Sequence, residues 1–400
     1  MNLTVEEKDM LSGKEGPGVQ KAMEILVALG EIYGARQMIP ITSSQVSGVS
    51  YKNLGDAGLE FLQEWAAKGA RVRVPTTLNP AGVDIEKWKE LGISQKFAEK
   101  QIELMAAYAA MGIAASCTCT PYMIGSAPKY GEHIAWSESS AVCHANSILG
   151  ARTNREGGPS ALAAAIAGRT PNYGLHLDAN RKATLVVEVE CEMKDYADYG
   201  ALGYIVGKKA GNKVPYFIFK KNKKIKTDCF KTLGATMAAA GSVALYHVHG
   251  VTPEAKKQNM VMSYAEKITV RELKEGYDAL DSGTDDIDYV AIGCPHASLD
   301  ELAEIAGLLK GKKVLATLWI TTARKIKQAA GPLVEEMEKS GAHVVADTCM
   351  IVAPIEELGF KTMATNAGKA ACYAPSHCGL KVRYGSLERC IEAALSGKWT

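Results

Sequence analysis

Four cysteines lie in segments whose composition suits a metal centre. Cys294 and Cys349 each follow a β-rich run, in IGCPH and DTCM, and SCTCTPY carries Cys117 and Cys119 in a loop without a charged residue. The chain has ten cysteines but no CxxC pair, whereas clusters that only transfer electrons take four thiolates, commonly in such pairs. A set of three thiolates would leave one iron open, and an open metal position acts as a Lewis acid.

The elements around Cys294 and Cys349 predict how these two thiols come together. Alternating apolar strands and amphipathic helices indicate a βαβαβ unit, which implies a parallel sheet with right-handed crossovers. Ligands collect outside the carboxyl ends of such strands, so both thiols are expected at one edge of the sheet. The predicted strands are 286–293, 312–320 and 342–348, and the predicted helices are 298–309 and 322–341, the second bent near Pro332.

The remaining chain is also expected to alternate helices and strands. Helices are predicted over 4–11, 17–34, 56–69 and 95–111, and strands over 183–190 and 214–219. The chain exceeds the length that one hydrophobic core usually organises. Three α/β domains are therefore expected: an N-terminal region 1–170 with one candidate ligand cysteine, a middle domain 171–280, and a C-terminal βαβ domain 281–400 with two.

Composition argues against several classes of function. A net charge of +2, with 47% hydrophobic and 22% charged residues, gives no reason to propose nucleic acid or an acidic membrane as a partner. The basic run KKNKKIK over 220–226 is expected to be a solvated loop, and the charge-free stretch 104–128 is expected to be a buried helix running into a loop near Ser116. The N-terminus predicts a helix and no signal peptide, so a cytoplasmic location is expected. The GxGxxG, GxxxxGK(S/T), HExxH and GxSxG signatures are absent from the sequence.

Five motifs in combination resemble the large subunit of the aconitase X family. They are CTCTPY, SESSAVCHANSILGARTNREGG, IGCPH, ADTCM and NAGKAACYAP. The resemblance extends over essentially all 400 residues. It implies an α/β fold of aconitase-like multidomain architecture, built from parallel-sheet βαβ units and lacking the swivelling domain.

The resemblance also implies ligands for a [4Fe-4S] cluster and a set of substrate contacts. The cluster would be held by Cys119, Cys294 and Cys349, and the TCTPY match favours Cys119 over Cys117. Substrate-binding roles carry over to Gly48, Val49, Ser50, Asn79, Pro80, Glu138, Ser139 and Lys369. The sequence leaves open whether Lys369 meets a carboxylate or a phosphate. Further candidates for an anionic group are Arg152, Asn154 and Arg155, because an arginine fork suits planar oxyanions.

By the same resemblance, the chain is expected to be a cytoplasmic hydro-lyase of an archaeal-type mevalonate pathway. The reaction would dehydrate (R)-5-phosphomevalonate to trans-anhydromevalonate 5-phosphate, with the open iron as Lewis acid and no redox change. No catalytic base is assigned within this chain. The base is expected to be a serine on the swivelling domain of a separate small subunit.

Three alternatives stand beside this expectation. Another branch of the family acts on cis-3-hydroxy-L-proline, which carries a cationic ring nitrogen in place of the phosphate. A non-catalytic iron–sulfur sensor would show cluster-dependent partner binding in place of turnover. A structural zinc site is disfavoured by the wide spacing of the cysteines and the missing CxxC pairs.

Overall fold

The computed structural model describes residues 1–221 and 225–400, which fold into alternating helices and strands. The helices are α1 Val5–Leu11, α2 Pro17–Ile32, α3 Tyr51–Ala67, α4 Gln95–Ala110, α5 Ser139–His144, α6 Gly158–Ala167, α7 Tyr196–Ala210, α8 Thr227–Gly241, α9 Pro253–Lys257, α10 Lys274–Leu280, α11 Leu299–Leu309, α12 Arg324–Ala329, α13 Gly331–Lys339, α14 Gly368–Cys378 and α15 Leu387–Ser396. The strands are β1 Met38–Pro40, β2 Ser44–Val46, β3 Thr76–Leu78, β4 Ala135–Trp136, β5 Arg169–Pro171, β6 Ala183–Val189, β7 Pro215–Phe219, β8 His247–Val248, β9 Val261–Val270, β10 Tyr289–Ile292, β11 Thr317–Thr322, β12 His343–Ala346, β13 Thr362–Thr365 and β14 Lys381–Tyr384.

Two sequence-based expectations concern segments with unusual charge. Residues 222–224 of the KKNKKIK run, which was predicted to be a solvated loop, lie outside the described residues. The charge-free stretch begins in α4, which ends at Ala110, and continues as non-helical chain towards Pro121. Within residues 1–221 and 225–400, the structure contains no helix with the length and apolarity needed to cross a membrane.

A five-stranded parallel sheet forms the core of the C-terminal third. Its order is β12-β11-β10-β13-β14, and each neighbouring pair is parallel. The predicted βαβαβ unit is therefore confirmed, with β10 and β12 on the two sides of β11. Ser298 caps helix α11, and its hydroxyl accepts from the Glu301 amide in a capping box, as the sequence pattern predicts.

The strand predicted over 312–320 is wrong at its start, because β11 begins only at Thr317. The amides of Val314 and Leu315 donate to the carbonyls of Ser340 and Ala394, outside the sheet. Leu315 is 75% exposed. Its apolar side chain, which led to the prediction of an apolar strand here, therefore lies outside the core. The helix predicted over 322–341 is bent as expected, into α12 and α13. Pro332 lies in the first turn of α13, where a missing N–H group leaves no helical hydrogen bond unmade.

A smaller parallel sheet lies in the N-terminal region, with the order β3-β2-β4. The chain that leaves β3 runs alongside the chain that leaves β12. The Ala81 amide donates to the Asp347 carbonyl at 2.8 Å, and the Cys349 amide donates to the Ala81 carbonyl at 3.0 Å. These backbone bonds fix the carboxyl edge of the small sheet beside the carboxyl edge of the five-stranded sheet.

The middle of the chain contributes a third parallel sheet, β8-β7-β6-β9, which shares a hydrophobic cluster with α7 and α8. Helices α7 and α8 also pack against the start of α14. Glycine is required there, because a Cβ atom on Gly368 would lie 2.5 Å from Thr236 Oγ1. The close approach of these helices sets the position of Lys369, the next residue. An antiparallel pair, β1 with β5, spans the predicted domain boundary at residue 170.

Candidate active site

One cavity of about 260 Å³ lies between the carboxyl edges of the N-terminal and C-terminal parallel sheets. Each sheet contributes side chains that immediately follow its strands, which is where ligands collect in open parallel sheets. The structure brings together eight of the eleven predicted site residues in the lining of this cavity: Asn79, Pro80, Cys119, Glu138, Ser139, Cys294, Cys349 and Lys369. They come from distant parts of the sequence, so their convergence is a product of the fold.

The thiols of Cys119, Cys294 and Cys349 all line the cavity and all are free. Burial raises the pKa of each thiol, to about 12 for Cys119, and the ammonium group of Lys369 opposes that rise in all three. Cys294 follows Gly293, whose φ is +98° and whose Cβ, if present, would lie 2.2 Å from the Thr321 carbonyl oxygen. Only glycine lets the Cys294 loop turn this close to β11.

The side chains of Cys117 and Cys119 point into different parts of the structure. Cys117 belongs to the hydrophobic core beneath the N-terminal sheet, where its Sγ lies 3.8 Å from Met105 Sδ. Cys119 points into the cavity, and its Sγ accepts a hydrogen bond of 3.1 Å from the His296 amide. Of the two, Cys119 lines the cavity and Cys117 has the environment of a packed apolar residue.

The three thiols of the described cavity share one lining but are not arranged as the ligand set of a single metal ion. Within the part of the chain that the structure describes, no group of three His, Cys, Asp or Glu side chains is arranged to hold one metal ion. A polynuclear cluster binds each thiolate through a different iron, so its ligands can stand apart around a cavity. No fourth cysteine is found among the described residues that line this cavity.

Glu138 and Lys369 form an ion pair within the cavity lining. Glu138 caps α5, where its carboxylate accepts from the Ser140 amide at 3.3 Å and the Ser140 hydroxyl at 3.1 Å. Burial alone would raise the pKa of Glu138, but Lys369 together with hydrogen bonds from Asn79 and Ser140 lowers it to about 2. Burial would lower the pKa of Lys369, but Glu138 and the nearby thiols raise it. Both side chains are therefore charged at neutral pH.

Two polar groups in the lining have capacity to bind a ligand. The Oδ1 atom of Asn79 is buried and accepts no hydrogen bond from the described residues. Arg155 has one weak contact, from Nη1 to the Ala238 carbonyl oxygen at 3.4 Å, and no carboxylate partner among residues 1–221 and 225–400. A buried acceptor and a free guanidinium thus face the same space as the thiols.

The other two candidates of the RTNREGG motif are engaged elsewhere. Arg152 donates to Asp178 and to the His176 carbonyl, and Asn154 donates to the Tyr173 carbonyl at 3.1 Å and accepts from the Leu175 amide at 2.8 Å. These contacts fix the chain after the motif. Neither side chain is part of the cavity lining.

Gly48, Val49 and Ser50 are not brought to the cavity lining, so their predicted contact with substrate stays a prediction. The Val49 carbonyl accepts from Gln101 Nε2 at 2.6 Å, and Ser50 caps α3 while its hydroxyl donates to the Val352 carbonyl at 2.7 Å. The preceding residue, Ser47, does line the cavity.

Several residues of the cavity were not predicted from the sequence. They include Ser47, Asn53, Ser137, His296, Thr321, Thr348, Tyr373 and His377. Ser47 and Ser137 directly follow β2 and β4, so recognising the small parallel sheet would have found them. The two- and three-residue strands of that sheet give too little alternation for a sequence pattern to reveal it.

Comparison with known proteins gives matches along nearly the whole chain. Family models described as the first, second and third domains of aconitase X match residues 1–179, 183–278 and 287–396. The phosphomevalonate dehydratase large subunit of Methanothermobacter thermautotrophicus is 53% identical over 94% of this chain and 95% of its own length. The cis-3-hydroxy-L-proline dehydratase of Pseudomonas aeruginosa is 37% identical over 98% of this chain and 70% of its own length. A crystal structure of Thermococcus kodakaraensis aconitase X in its holo form superposes with a TM-score of 0.91 at 52% identity, covering 98% of this chain and 100% of the other.

Proposed function

This chain belongs to the aconitase X family, and on that premise we propose that it is the large subunit of a hydro-lyase acting on (R)-5-phosphomevalonate. The product would be trans-anhydromevalonate 5-phosphate. The observation that carries the proposal is one cavity that combines three thiols, the ion pair of Glu138 with Lys369, and the free guanidinium of Arg155. Dehydratases named for this substrate are about half identical to this chain over almost its entire length.

Cys119, Cys294 and Cys349 are the residues proposed to hold a [4Fe-4S] cluster, because their thiols share one cavity and no fourth cysteine stands beside them in the described lining. When bound, a cluster with three thiolate ligands supplies an open iron that acts as a Lewis acid towards hydroxyl and carboxylate oxygens. Lys369 lies close enough to these thiols that its ammonium group opposes the rise that burial causes in the pKa of Cys119, Cys294 and Cys349. Its ammonium group is therefore assigned to the substrate carboxylate at the reacting end.

Arg155 is the residue proposed to bind the phosphate. Lys369 is already paired with Glu138, whereas Arg155 has no carboxylate partner in the described chain. A guanidinium donates two parallel hydrogen bonds to a phosphate and neutralises part of its charge. The same free cation would repel the ring nitrogen of cis-3-hydroxy-L-proline, so the charge of the cavity favours the phosphorylated substrate.

The reaction removes a proton from C2 of the substrate and hydroxide from C3, and the electrons of the C2–H bond form the double bond. Two titratable side chains of the cavity, Glu138 and His296, are poorly suited to take that proton. Glu138 is bonded to Lys369 and Ser140, and both ring nitrogens of His296 are bonded to other groups. The base is therefore proposed to be a serine of a small subunit, in keeping with the relatives' designation as large subunits.

Anaerobic copurification of the full chain with its small subunit tests this function. The complex is expected to contain iron and sulfide and to dehydrate phosphomevalonate. The large subunit alone is expected to retain iron but not to turn over. Full activity of the isolated chain would overturn the proposed origin of the base and direct attention to His377 and Ser139. Absence of iron from an active complex would overturn the proposed cofactor.

A further inference from the structure

His296 connects the three loops that carry Cys119, Cys294 and Cys349. It lies two residues after Cys294 and is 1% exposed. Its backbone amide donates to the Sγ atom of Cys119 at 3.1 Å. Its Nδ1 atom lies 2.9 Å from the hydroxyl of Thr118, the residue before Cys119, and its Nε2 atom lies 2.9 Å from the carbonyl oxygen of Thr348, the residue before Cys349.

These partners determine the tautomer of the imidazole. A carbonyl oxygen can only accept, so Nε2 carries the proton and donates to Thr348. Nδ1 is then an acceptor, to which the Thr118 hydroxyl donates a hydrogen bond, and the Thr118 oxygen in turn accepts from the Thr120 amide at 3.0 Å. The neutral ring is a rigid spacer with one donor and one acceptor on opposite sides, a combination that no other side chain offers at this length.

The backbone of His296 is held independently of its ring. Lys231, 2% exposed, donates to the His296 carbonyl at 3.3 Å and is paired with Glu301 and Asp228. The peptide is thus anchored on the side of the middle domain, while the ring reaches the two other cysteine loops. Loss of the ring would leave this anchor in place and remove the side-chain link between the loops of Cys119 and Cys349.

We propose that His296 is a positioning residue that holds the three cysteine loops at the spacing a cluster requires. The proposal rests on the proposed function, because it takes Cys119, Cys294 and Cys349 as the ligands. Hydrogen-bonded neighbours of metal ligands commonly change metal affinity by about 10- to 100-fold when removed. The expected consequence is therefore a shorter-lived cluster in a chain that still folds.

The test compares His296→Phe with a matched change at another buried imidazole. His247 is also fully buried, and its Nε2 contacts the Arg181 carbonyl at 2.8 Å in the middle domain, away from the cysteine loops. Each variant is purified anaerobically as the full chain with its small subunit. Visible absorbance then follows loss of the cluster to an iron chelator, and circular dichroism gives the Tm of the cluster-free protein.

His296→Phe is expected to lose its cluster at least tenfold faster than wild type, while its cluster-free Tm falls no further than that of His247→Phe. Thr118→Val, which keeps the ring and removes one partner, is expected to give an intermediate rate and carries the test if His296→Phe does not fold. A wild-type cluster lifetime in these variants would overturn the role of His296. Absence of iron from the wild-type complex would instead overturn the proposed cofactor, so the two failures are distinguishable.

Discussion

Glu138 and Lys369 form a buried ion pair that joins the two parallel sheets across the cavity. Glu138 follows β4 of the N-terminal sheet, and Lys369 follows β13 of the C-terminal sheet. Their pairing leaves each charge neutralised in the absence of substrate. It also means that either residue, removed alone, leaves the other as an isolated buried charge.

Replacing Lys369 by Met is expected to lower kcat/KM for phosphomevalonate at least tenfold and to destabilise the chain by about 3–5 kcal/mol. Bound iron should be unchanged, because Lys369 is not a proposed ligand. The double variant Lys369→Met/Glu138→Gln should recover much of the stability but none of the activity, since it removes the isolated charge without restoring a cation. Lys274→Met removes one partner of an exposed pair and serves as the control. A double variant no more stable than Lys369→Met would contradict the proposed coupling.

Arg155→Gln is expected to lower kcat/KM for phosphomevalonate roughly 10- to 150-fold, because a hydrogen bond to a charged group contributes about 1.5–3 kcal/mol. The slow turnover of unphosphorylated mevalonate should not change. Arg152→Gln is the matched control, because Arg152 is paired with Asp178 outside the cavity. Steady-state kinetics on both substrates makes the comparison. An equal loss of activity on both would show that Arg155 does not contact the phosphate.

The thiols of the chain divide into cavity and core groups. Serine at Cys119, Cys294 or Cys349 is expected to remove most of the bound iron and all measurable activity. Serine at Cys117 or Cys390, both in hydrophobic clusters, is expected to retain the cluster with a stability change of about 0.5–3 kcal/mol. The iron content of anaerobically purified complexes distinguishes the two groups of variants. Loss of iron in Cys117→Ser with retention in Cys119→Ser would reverse the assignment of these two neighbours.

The pair of His133 and His176 is expected to make the stability of the folded chain depend on pH, independently of catalysis. Their Nδ1 atoms are 3.0 Å apart, and burial, then His133, Arg181 and Arg152, lower the pKa of His176 to about 3. Between pH 6.5 and 3 the unfolded chain binds a proton that the folded chain does not, so stability falls as the pH falls. At pH 5 this loss is about 2 kcal/mol.

Urea unfolding at pH 7 and pH 5 measures this effect. The stability lost by wild type over that interval should exceed the loss in His176→Gln by about 2 kcal/mol. His249→Gln, at an exposed imidazole bonded to Tyr216, should lose as much as wild type. Equal losses in wild type and His176→Gln would contradict the assignment of a neutral His176 in the folded chain.

The C-terminal half of the site could be predicted from the sequence because its strands and helices have clear hydrophobic patterns. Strands β10 to β12 are apolar and separated by amphipathic helices, so their carboxyl edge and the cysteines on it follow from local pattern. Loop composition singled out Cys117 and Cys119 together. The preference for Cys119, and the choice of Glu138 and Asn79, rested on family resemblance, because β2, β3 and β4 are too short to show alternation. The links made by Ala81 and His296 join segments far apart in sequence, and no local pattern encodes them.

The most direct measurement is the initial rate at which the anaerobic two-subunit complex removes water from three substrates at matched concentrations. With phosphomevalonate, mevalonate and cis-3-hydroxy-L-proline, the geometry and charge of the cavity predict the highest kcat/KM for phosphomevalonate and poor turnover of the other two. Equal rates on mevalonate and phosphomevalonate, or faster turnover of cis-3-hydroxy-L-proline than of either, would contradict the proposed substrate.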